Sequence, residues 1–478
     1  MVYDWKMELY WRIPVRLQEL SLSLYSRRLD KTYYGDGYEE CKQWLNGWKS
    51  WTSSYVEGWK SDQLQYIVEL AAKHVPYYRN NWQDLAWKSI RSEKDLQILP
   101  LLEKQSIRQN EHSFIVEGKN PKSLWVGQTS GTTGTSLRFF WPISMVRKWW
   151  AIYEVMCRYV AGVAQEIPRA MIGGRPIVRG DSNNPPYWRF NQRWRQLYLS
   201  SYHVSTKNAP EYVKALRKYG SLWMAGYGSS IAALAESALD AGIESFPLKS
   251  VIVSGDTLLA GMRVSIEKFF QCKCYDQYGQ SEGTAMAMEC DYGRMHIIPM
   301  VGIVEILRED GTPCDKGEVG EMVVTSLLND AMPLVRYRIG DYGAWADEVD
   351  ICPCGNKNPV ITNLEGRVDD YLITLDGRKI GRLSTAMKRS PNIHTAQIVQ
   401  DIPGHAYLLV RPGDGYQTSH AKIVCDDIIE RIGKFDLEIV EVAEVPKTPQ
   451  GKVALVVRLE DRPLMKEKYK FILKNNFV

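Results

Sequence analysis

From Val126 to about Thr325 the hydrophobic period of the sequence keeps changing, and that alternation narrows the fold more than any other feature. Met171-Ile172 before Gly173, Leu222-Trp223-Met224 and Val251-Ile252-Val253 are short apolar runs, as strands buried on both faces require. Residues 231–241 and 263–270 carry the three-to-four-residue spacing of helices. Strands and helices taken in turn predict an α/β domain with a substantial parallel sheet. Ligands bind such sheets at turns beyond the carboxyl ends of the strands. Three segments fall there: Gly226-Tyr227-Gly228-Ser229-Ser230, Ser254-Gly255-Asp256 and the stretch 275–283. Downstream, residues 303–307 and 321–325 read as a small antiparallel unit joined through the Asp310-Gly311 turn.

The flanks differ. In the first hundred residues Leu17, Leu20, Leu22 and Leu24, then Leu64, Ile67, Leu70 and Ala71, recur at helical spacing. Val75-Pro76-Tyr77-Tyr78-Arg79 marks a helix end, because proline restricts the residue before it. Residues 1–28 mix aromatics with Lys and Arg, which leaves an amphipathic helix on a membrane surface open. A helical layer over about residues 1–100, docked on the main domain, is the expectation. A second shift in composition near residue 368 divides a large N-terminal α/β domain (1–368) from a small α+β C-terminal domain (369–478), which ends in a basic tail. With 60 basic and 56 acidic residues the net charge is only +4, so nothing here calls for nucleic acid. No apolar run reaches the roughly 18 residues that a spanning helix needs. Nine cysteines, an odd number, and no leader pattern lead us to expect a cytoplasmic protein with reduced thiols.

Several motifs carry chemistry. From Thr129 to Ser136 every residue is Gly, Ser or Thr. Small residues admit close backbone approach, and successive amides with hydroxyls make a concavity suited to phosphate oxygens. No Gly-Lys-Ser/Thr follows, so this is not a Walker loop, and a solvated hairpin turn is the plain alternative. Tyr278-Gly279-Gln280-Ser281-Glu282 puts a carboxylate after a strand end, where it can hold Mg²⁺ beside a triphosphate. In Arg336-Tyr337-Arg338-Ile339-Gly340-Asp341, the aspartate can take both hydroxyls of a ribose, while Arg338 can neutralise phosphate or fix the aspartate. Gly366-Arg367-Val368-Asp369-Asp370 sits at the domain border, as hinges do. Pro446-Lys447-Thr448-Pro449-Gln450-Gly451-Lys452 is a loop between two apolar strands, and a lysine on it can reach charge developing on a phosphate. Cys290, His296, Cys352 and Cys354 supply three thiols and an imidazole, a closed tetrahedral zinc set or else unrelated reduced thiols. Cys272 and Cys274 read as strand residues instead.

Taken in order, these segments resemble the adenylate-forming superfamily of acyl-CoA synthetases, adenylation domains and luciferases. The matching residues are Thr129-Ser130-Gly131-Thr132-Thr133-Gly134, Tyr278-Gly279-Gln280-Ser281-Glu282, Tyr337 to Asp341, Gly366 to Asp370, and Pro446 to Lys452. The likeness runs from about residue 70 to 460. Residues 75–79, 199–203 and 226–230 point to the branch of phenylacetate–CoA ligases and CapK-type capsular polysaccharide proteins.

The resemblance implies a large N-terminal domain, a mobile C-terminal one, and a two-step reaction. A carboxylate attacks the α-phosphate of ATP-Mg²⁺ to give acyl-AMP and pyrophosphate, and then CoA, an amine or a sugar hydroxyl displaces AMP. It assigns the β/γ-phosphates to Thr129 through Gly134 and Mg²⁺ to Glu282. The ribose falls to Asp341, and nucleotide contacts to Tyr278, Gly279, Asp256 and Arg367. Asp369 becomes the hinge and Lys452 the catalytic lysine of the first step. Relatives with similar Cys/His segments carry structural zinc, which strengthens that reading. The loop departs from many relatives in lacking lysine after Gly134, so amides, hydroxyls or Arg138 would have to meet phosphate charge. His203, Tyr227 and Trp188 are candidates for the acyl pocket, and Arg189, Arg193 and Arg195 would suit a polar or anionic substrate. An adenylyltransferase that leaves AMP on its product and a non-catalytic nucleotide-binding scaffold are the competing readings.

Overall fold

Helices α1 (Trp5–Arg12), α2 (Val15–Tyr33), α3 (Tyr38–Leu45), α4 (Ser53–His74), α5 (Pro76–Asn81) and α6 (Lys104–Gln109) open the chain in a computed structural model. It describes residues 5–128, 137–175, 177–180, 182–347, 352–365, 371–380, 383–387, 392–448, 453–460 and 463–475. Extended Val75 separates α4 from α5, since Pro76 has no amide hydrogen and bars its predecessor from the helical region. The hairpin β1 (Trp125–Gln128) and β2 (Arg138–Trp141) and helix α7 (Ile143–Tyr153) follow. The expected alternation then appears as β3 (Arg169–Gly173), β4 (Trp188–Asn191), β5 (Gln196–Ser200), α8 (Ala209–Lys218), β6 (Trp223–Gly226), α9 (Gly228–Asp240), β7 (Ser250–Ser254) and α10 (Ala260–Phe270). Strands β8 (Cys274–Gly279), β9 (Met286–Glu289), β10 (Met295–Ile297), β11 (Gly302–Leu307), β12 (Gly320–Ser326), β13 (Tyr337–Trp345) and β14 (Val360–Glu365) come next. The chain closes with β15 (Leu372–Ile373), β16 (Lys379–Ile380), α11 (Ser384–Met387), β17 (Ile393–Ile402), β18 (His405–Pro412), α12 (Thr418–Ile432), β19 (Asp436–Glu441), β20 (Val456–Arg458) and α13 (Pro463–Asn475).

These elements gather into two compact units, each assembled from separated stretches of chain. Residues 1–27, 162–276 and 365–478 form the first, and 28–161 with 277–364 the second. In the first unit the strand order is β7-β6-β3-β5-β4. Strand β3 runs parallel to β5 and β6, β6 parallel to β7, and β4 antiparallel at the edge. Ile172, Leu197, Met224 and Val251 are fully or almost fully buried, as the unbroken apolar runs require. A four-stranded sheet, β19-β18-β17-β20, belongs to the same unit. Ile398, Leu408 and Val424 share one core with Ile172, Met224 and Ile266, each such side chain contributing about 1.5–3 kcal/mol on burial.

In the second unit β11 pairs with β12, β12 with β13, β14 with β10 and β10 with β9, all antiparallel. Leu64, Ile67, Ala71 and Tyr78 of α4 and α5 enter one core with Phe139, Val324 and Tyr337, so this part of the helical layer docks as expected. Helix α2 docks differently, through polar side chains. Its Leu17, Leu20 and Leu24 face solvent, and of its leucines named above only Leu22 packs against a core. The basic tail is helical, with Tyr469 of α13 fully buried.

Candidate active site and metal centre

In the second unit, two strands and a turn converge on Glu282. Gly283 adopts φ +69°, and a Cβ there would stand 2.5 Å from the Trp141 ring and 2.8 Å from Met145. A Cβ on Gly127 would come within 3.3 Å of the Ser281 carbonyl oxygen. The last pair of the β1–β2 hairpin is Gln128 with Arg138, so both stems of the Gly/Ser/Thr loop press on the 281–283 turn. Thr129, Ser130, Gly131, Thr132, Thr133 and Gly134 themselves lie outside the described residues. Glu282 is buried, and the Tyr337 hydroxyl donates to its Oε1 at 3.3 Å.

Four residues along the same strand, Asp341 accepts a hydrogen bond from the Tyr278 hydroxyl at 2.6 Å. Tyr337, Ile339 and Asp341 share the buried face of β13, as its period of two requires. Gly340, at φ +80°, lies where the β12–β13 ladder slips between Glu321 and Val323, a bulge that sets the aim of Asp341. Period two also turns Arg338 to the opposite face. There it bonds both oxygens of Glu321, and Glu103 at 2.9 Å, and the Glu321 hydrogen bond raises its pKa. Arg338 therefore neither fixes Asp341 nor stands ready for phosphate. Arg336 is likewise occupied, by Glu305 at 2.9 and 3.1 Å and the Leu99 carbonyl at 2.7 Å. Arg138 is held by Glu111.

The first unit places its expected residues at the strand ends. Gly226 takes φ +151°, and a Cβ would strike the Ile172 carbonyl oxygen at 1.8 Å, so only glycine passes from β6 into the turn. Tyr227 follows, with its phenol pKa raised by burial. Asp256, after β7, accepts the Gly228 amide at 2.7 Å and the Ser229 amide at 3.2 Å. Its carboxylate thus holds the N-terminus of α9. His203 Nδ1 lies 2.8 Å from the Ser200 hydroxyl, and Tyr187 stacks on its ring at 4.6 Å. Tyr187 in turn neighbours Tyr212, which touches Trp188, so His203 and Trp188 belong to one aromatic cluster.

Tyr187 was missed by sequence reasoning, although it stands next to Trp188 in the chain. Lys447 was passed over too. Its Nζ donates to the Ser201 carbonyl at 3.3 Å, and burial lowers its pKa. Lys452, Arg367 and Asp369 lie outside the described residues.

Cys290, His296, Cys352 and Cys354 meet at the adjoining ends of β9, β10 and β14. His296 is paired with Met288 of β9 and Val360 of β14, and Cys290 leaves the end of β9. All four donor atoms lie within 4.8 Å of one another. Cys290 Sγ is 3.7 Å from Cys352 Sγ, and Cys354 Sγ is 3.6 Å from His296 Nε2. Those separations match the roughly 3.5–3.8 Å edges of a tetrahedron with zinc-type bonds. His296 Nδ1 donates to the Asn358 carbonyl at 3.0 Å, which leaves Nε2 as the lone-pair nitrogen. Burial lowers the His296 pKa, keeping the ring neutral as a ligand must be. The three-sulfur, one-nitrogen set fits a closed structural zinc.

Residues 372–459 match the family model for the CapK C-terminal domain. Protein CapK of Staphylococcus aureus is 31% identical over 363 residues, covering 74% of this chain and 78% of CapK. The chain belongs to the CapK family. Phenylacetate-coenzyme A ligase of Thermus thermophilus is 23% identical over 403 residues, spanning 80% of this chain and 85% of that enzyme. Among solved structures, 2-hydroxyisobutyryl-CoA ligase in the postadenylation state, in complex with R3-HIB-AMP, superposes with TM-score 0.64 at 18% identity, over 88% of this chain and 93% of that one. This CapK-family chain thus has the mixed α/β fold of the CoA ligases, and its sequence is similar to the phenylacetate–CoA ligases.

Proposed function

We propose that this chain binds ATP with Mg²⁺, activates a small carboxylic acid as its acyl adenylate, and passes the acyl group to CoA. The observation that supports this most is the convergence of both hairpin stems, buried Glu282 and the Tyr278–Asp341 pair. One substrate carboxylate oxygen attacks the α-phosphorus, the bond to pyrophosphate breaks, and the acceptor then attacks the acyl carbonyl with AMP as leaving group. In this reading Thr129, Ser130, Gly131, Thr132, Thr133 and Gly134 hold the β- and γ-phosphates through amides and hydroxyls. Glu282 is the metal ligand, Asp341 and Tyr278 hold the nucleoside with Gly279 beside them, and Arg367 contacts the nucleotide.

Asp256 serves by orienting α9 and the Tyr227 turn. His203, Tyr227 and Trp188 shape the acyl pocket. Lys452 stabilises charge on the α-phosphate during adenylation, and residues 369–478 would leave the core they share with β3, β6 and α10 to swing about Asp369 between the two steps. The pairing of Arg138 with Glu111 and of Arg338 with Glu321 supports giving the α-phosphate to another cation, for which Lys452 is the candidate. Zinc at Cys290, His296, Cys352 and Cys354 would brace three strand ends. An amine or sugar hydroxyl remains the alternative acceptor. No helix among the described residues is long and apolar enough to cross a membrane, and dependence on ATP suits work in the cytoplasm.

Exchange of labelled pyrophosphate into ATP across a panel of carboxylic acids tests the reading. Exchange with at least one acid, followed by thioester on adding CoA, supports it. Hydroxamate formation without thioester moves the acceptor to an amine or hydroxyl. No exchange with any acid contradicts acyl-adenylate chemistry.

A further inference from the structure

Helix α2 is turned inside out. Its inward face is polar. Gln18 Oε1 accepts from Arg189 Nε at 2.5 Å, and Glu19 accepts the Phe190 amide at 2.9 Å. Ser23 accepts the Gln192 amide at 3.1 Å, and Ser26 accepts from Asn191. Four polar side chains thereby seat the helix on edge strand β4, whose unpaired groups need a cover. The leucines consequently point the other way. Leu17, Leu20 and Leu24 are 49%, 53% and 51% exposed, and at about 100° per residue they form one stripe. Exposed Arg16 and Arg27 flank the stripe, and exposed Arg28 and Lys31 continue it along the same helix. Neither acidic residue of the helix falls on it, since Glu19 is turned to β4 and Asp30 is half-buried off the stripe. Tyr25 borders the stripe, and Leu9 of α1 is exposed as well.

We propose that the outer face of α2 is a docking surface for an anionic lipid bilayer. Leucines enter the acyl boundary while the arginine and lysine stems lie along it and keep their charges at headgroup level. The charge pattern chooses this occupant. A protein partner would have to supply an apolar groove rimmed by carboxylates, whereas an anionic bilayer supplies both by composition. Each cation near such a surface contributes severalfold to binding, so a pair of them is worth at least roughly tenfold.

Co-sedimentation of the full-length protein with phosphatidylcholine vesicles, with and without phosphatidylglycerol, tests the proposal. The wild type is expected to pellet with the anionic vesicles only, and less as salt is raised. The combined Leu17→Ser, Leu20→Ser and Leu24→Ser variant and the Arg16→Glu, Arg27→Glu variant should each lose at least about tenfold in partitioning. Both should keep the vesicle-free pyrophosphate exchange of the wild type, which shows that they are folded. Absence of wild-type partitioning, or equal partitioning of all three proteins, overturns the proposal. So does a wild-type dimer in solution that the serine variant converts to a monomer, because the occupant would then be a second copy of the chain.

Discussion

The Cys/His cluster and the Glu282 site lie in the same unit and are built on different plans. Cys290, His296, Cys352 and Cys354 are all described, and their donor atoms close on one another within 4.8 Å. Around Glu282 the described residues supply a frame: Tyr337 on the carboxylate, Tyr278 on Asp341, and glycines where side chains would collide. The comparison separates bracing from chemistry. A closed four-donor site has no open position for a substrate, so its loss should cost stability, whereas the Glu282 frame is justified only by what it holds.

That difference can be broken or sharpened by mutation. The largest effect is expected from Glu282→Gln, which keeps the shape and removes the charge. Pyrophosphate exchange should fall by about a hundredfold or more, with thermal unfolding nearly unchanged. Cys352→Ser should do the reverse. Bound zinc, measured by elemental analysis, should drop from about one equivalent to near none, and the unfolding midpoint should fall by several degrees or more. Exchange at low temperature should stay within about threefold, as expected for a brace away from the chemistry. A Cys352→Ser protein that is stable but inactive would merge the two sites and defeat the comparison.

Tyr278→Phe probes the frame more gently. Losing one hydrogen bond to a carboxylate should raise the KM for ATP by about tenfold and leave zinc untouched. The smallest effect concerns His405 of β18, which has neither role. Burial disfavours its charge, but Asp401 at 2.6 Å and Glu438 at 3.1 Å outweigh that and raise its pKa. A raised folded pKa stabilises below the ordinary histidine range, and the contribution is lost as pH rises through the folded value. His405→Gln should therefore lower stability by no more than about 1 kcal/mol at acidic pH, and not at all in alkaline buffer, as denaturant titrations at both would show.

Much of this was legible in the residues. The switching period marked β3, β6, β7, α9 and α10, because strands buried on both faces cannot alternate polar residues. The metal donors were legible as a set of residue types, though only the sheet order brings Cys290 and His296 to Cys352 and Cys354. Helix α2 was not. Periodicity tells which residues share a face, not which face turns inward, and here the polar residues of β4 made that choice. Both roles open to Arg338, neutralising phosphate or fixing Asp341, come from a motif read as a string. Period two along β13 places it opposite Asp341, among carboxylates that a string cannot display. Nor could the residues alone show that Asp256, expected as a nucleotide contact, caps the N-terminus of α9.

In the proposed reaction an acid oxygen becomes bonded to the α-phosphorus of ATP. Supplying an active carboxylic acid labelled with oxygen-18 in its carboxylate and analysing the released nucleotide by mass spectrometry tests this directly. Each AMP formed should carry one labelled oxygen from the acid. Unlabelled AMP alongside thioester or amide product, or label in inorganic phosphate with ADP as the nucleotide product, would contradict it.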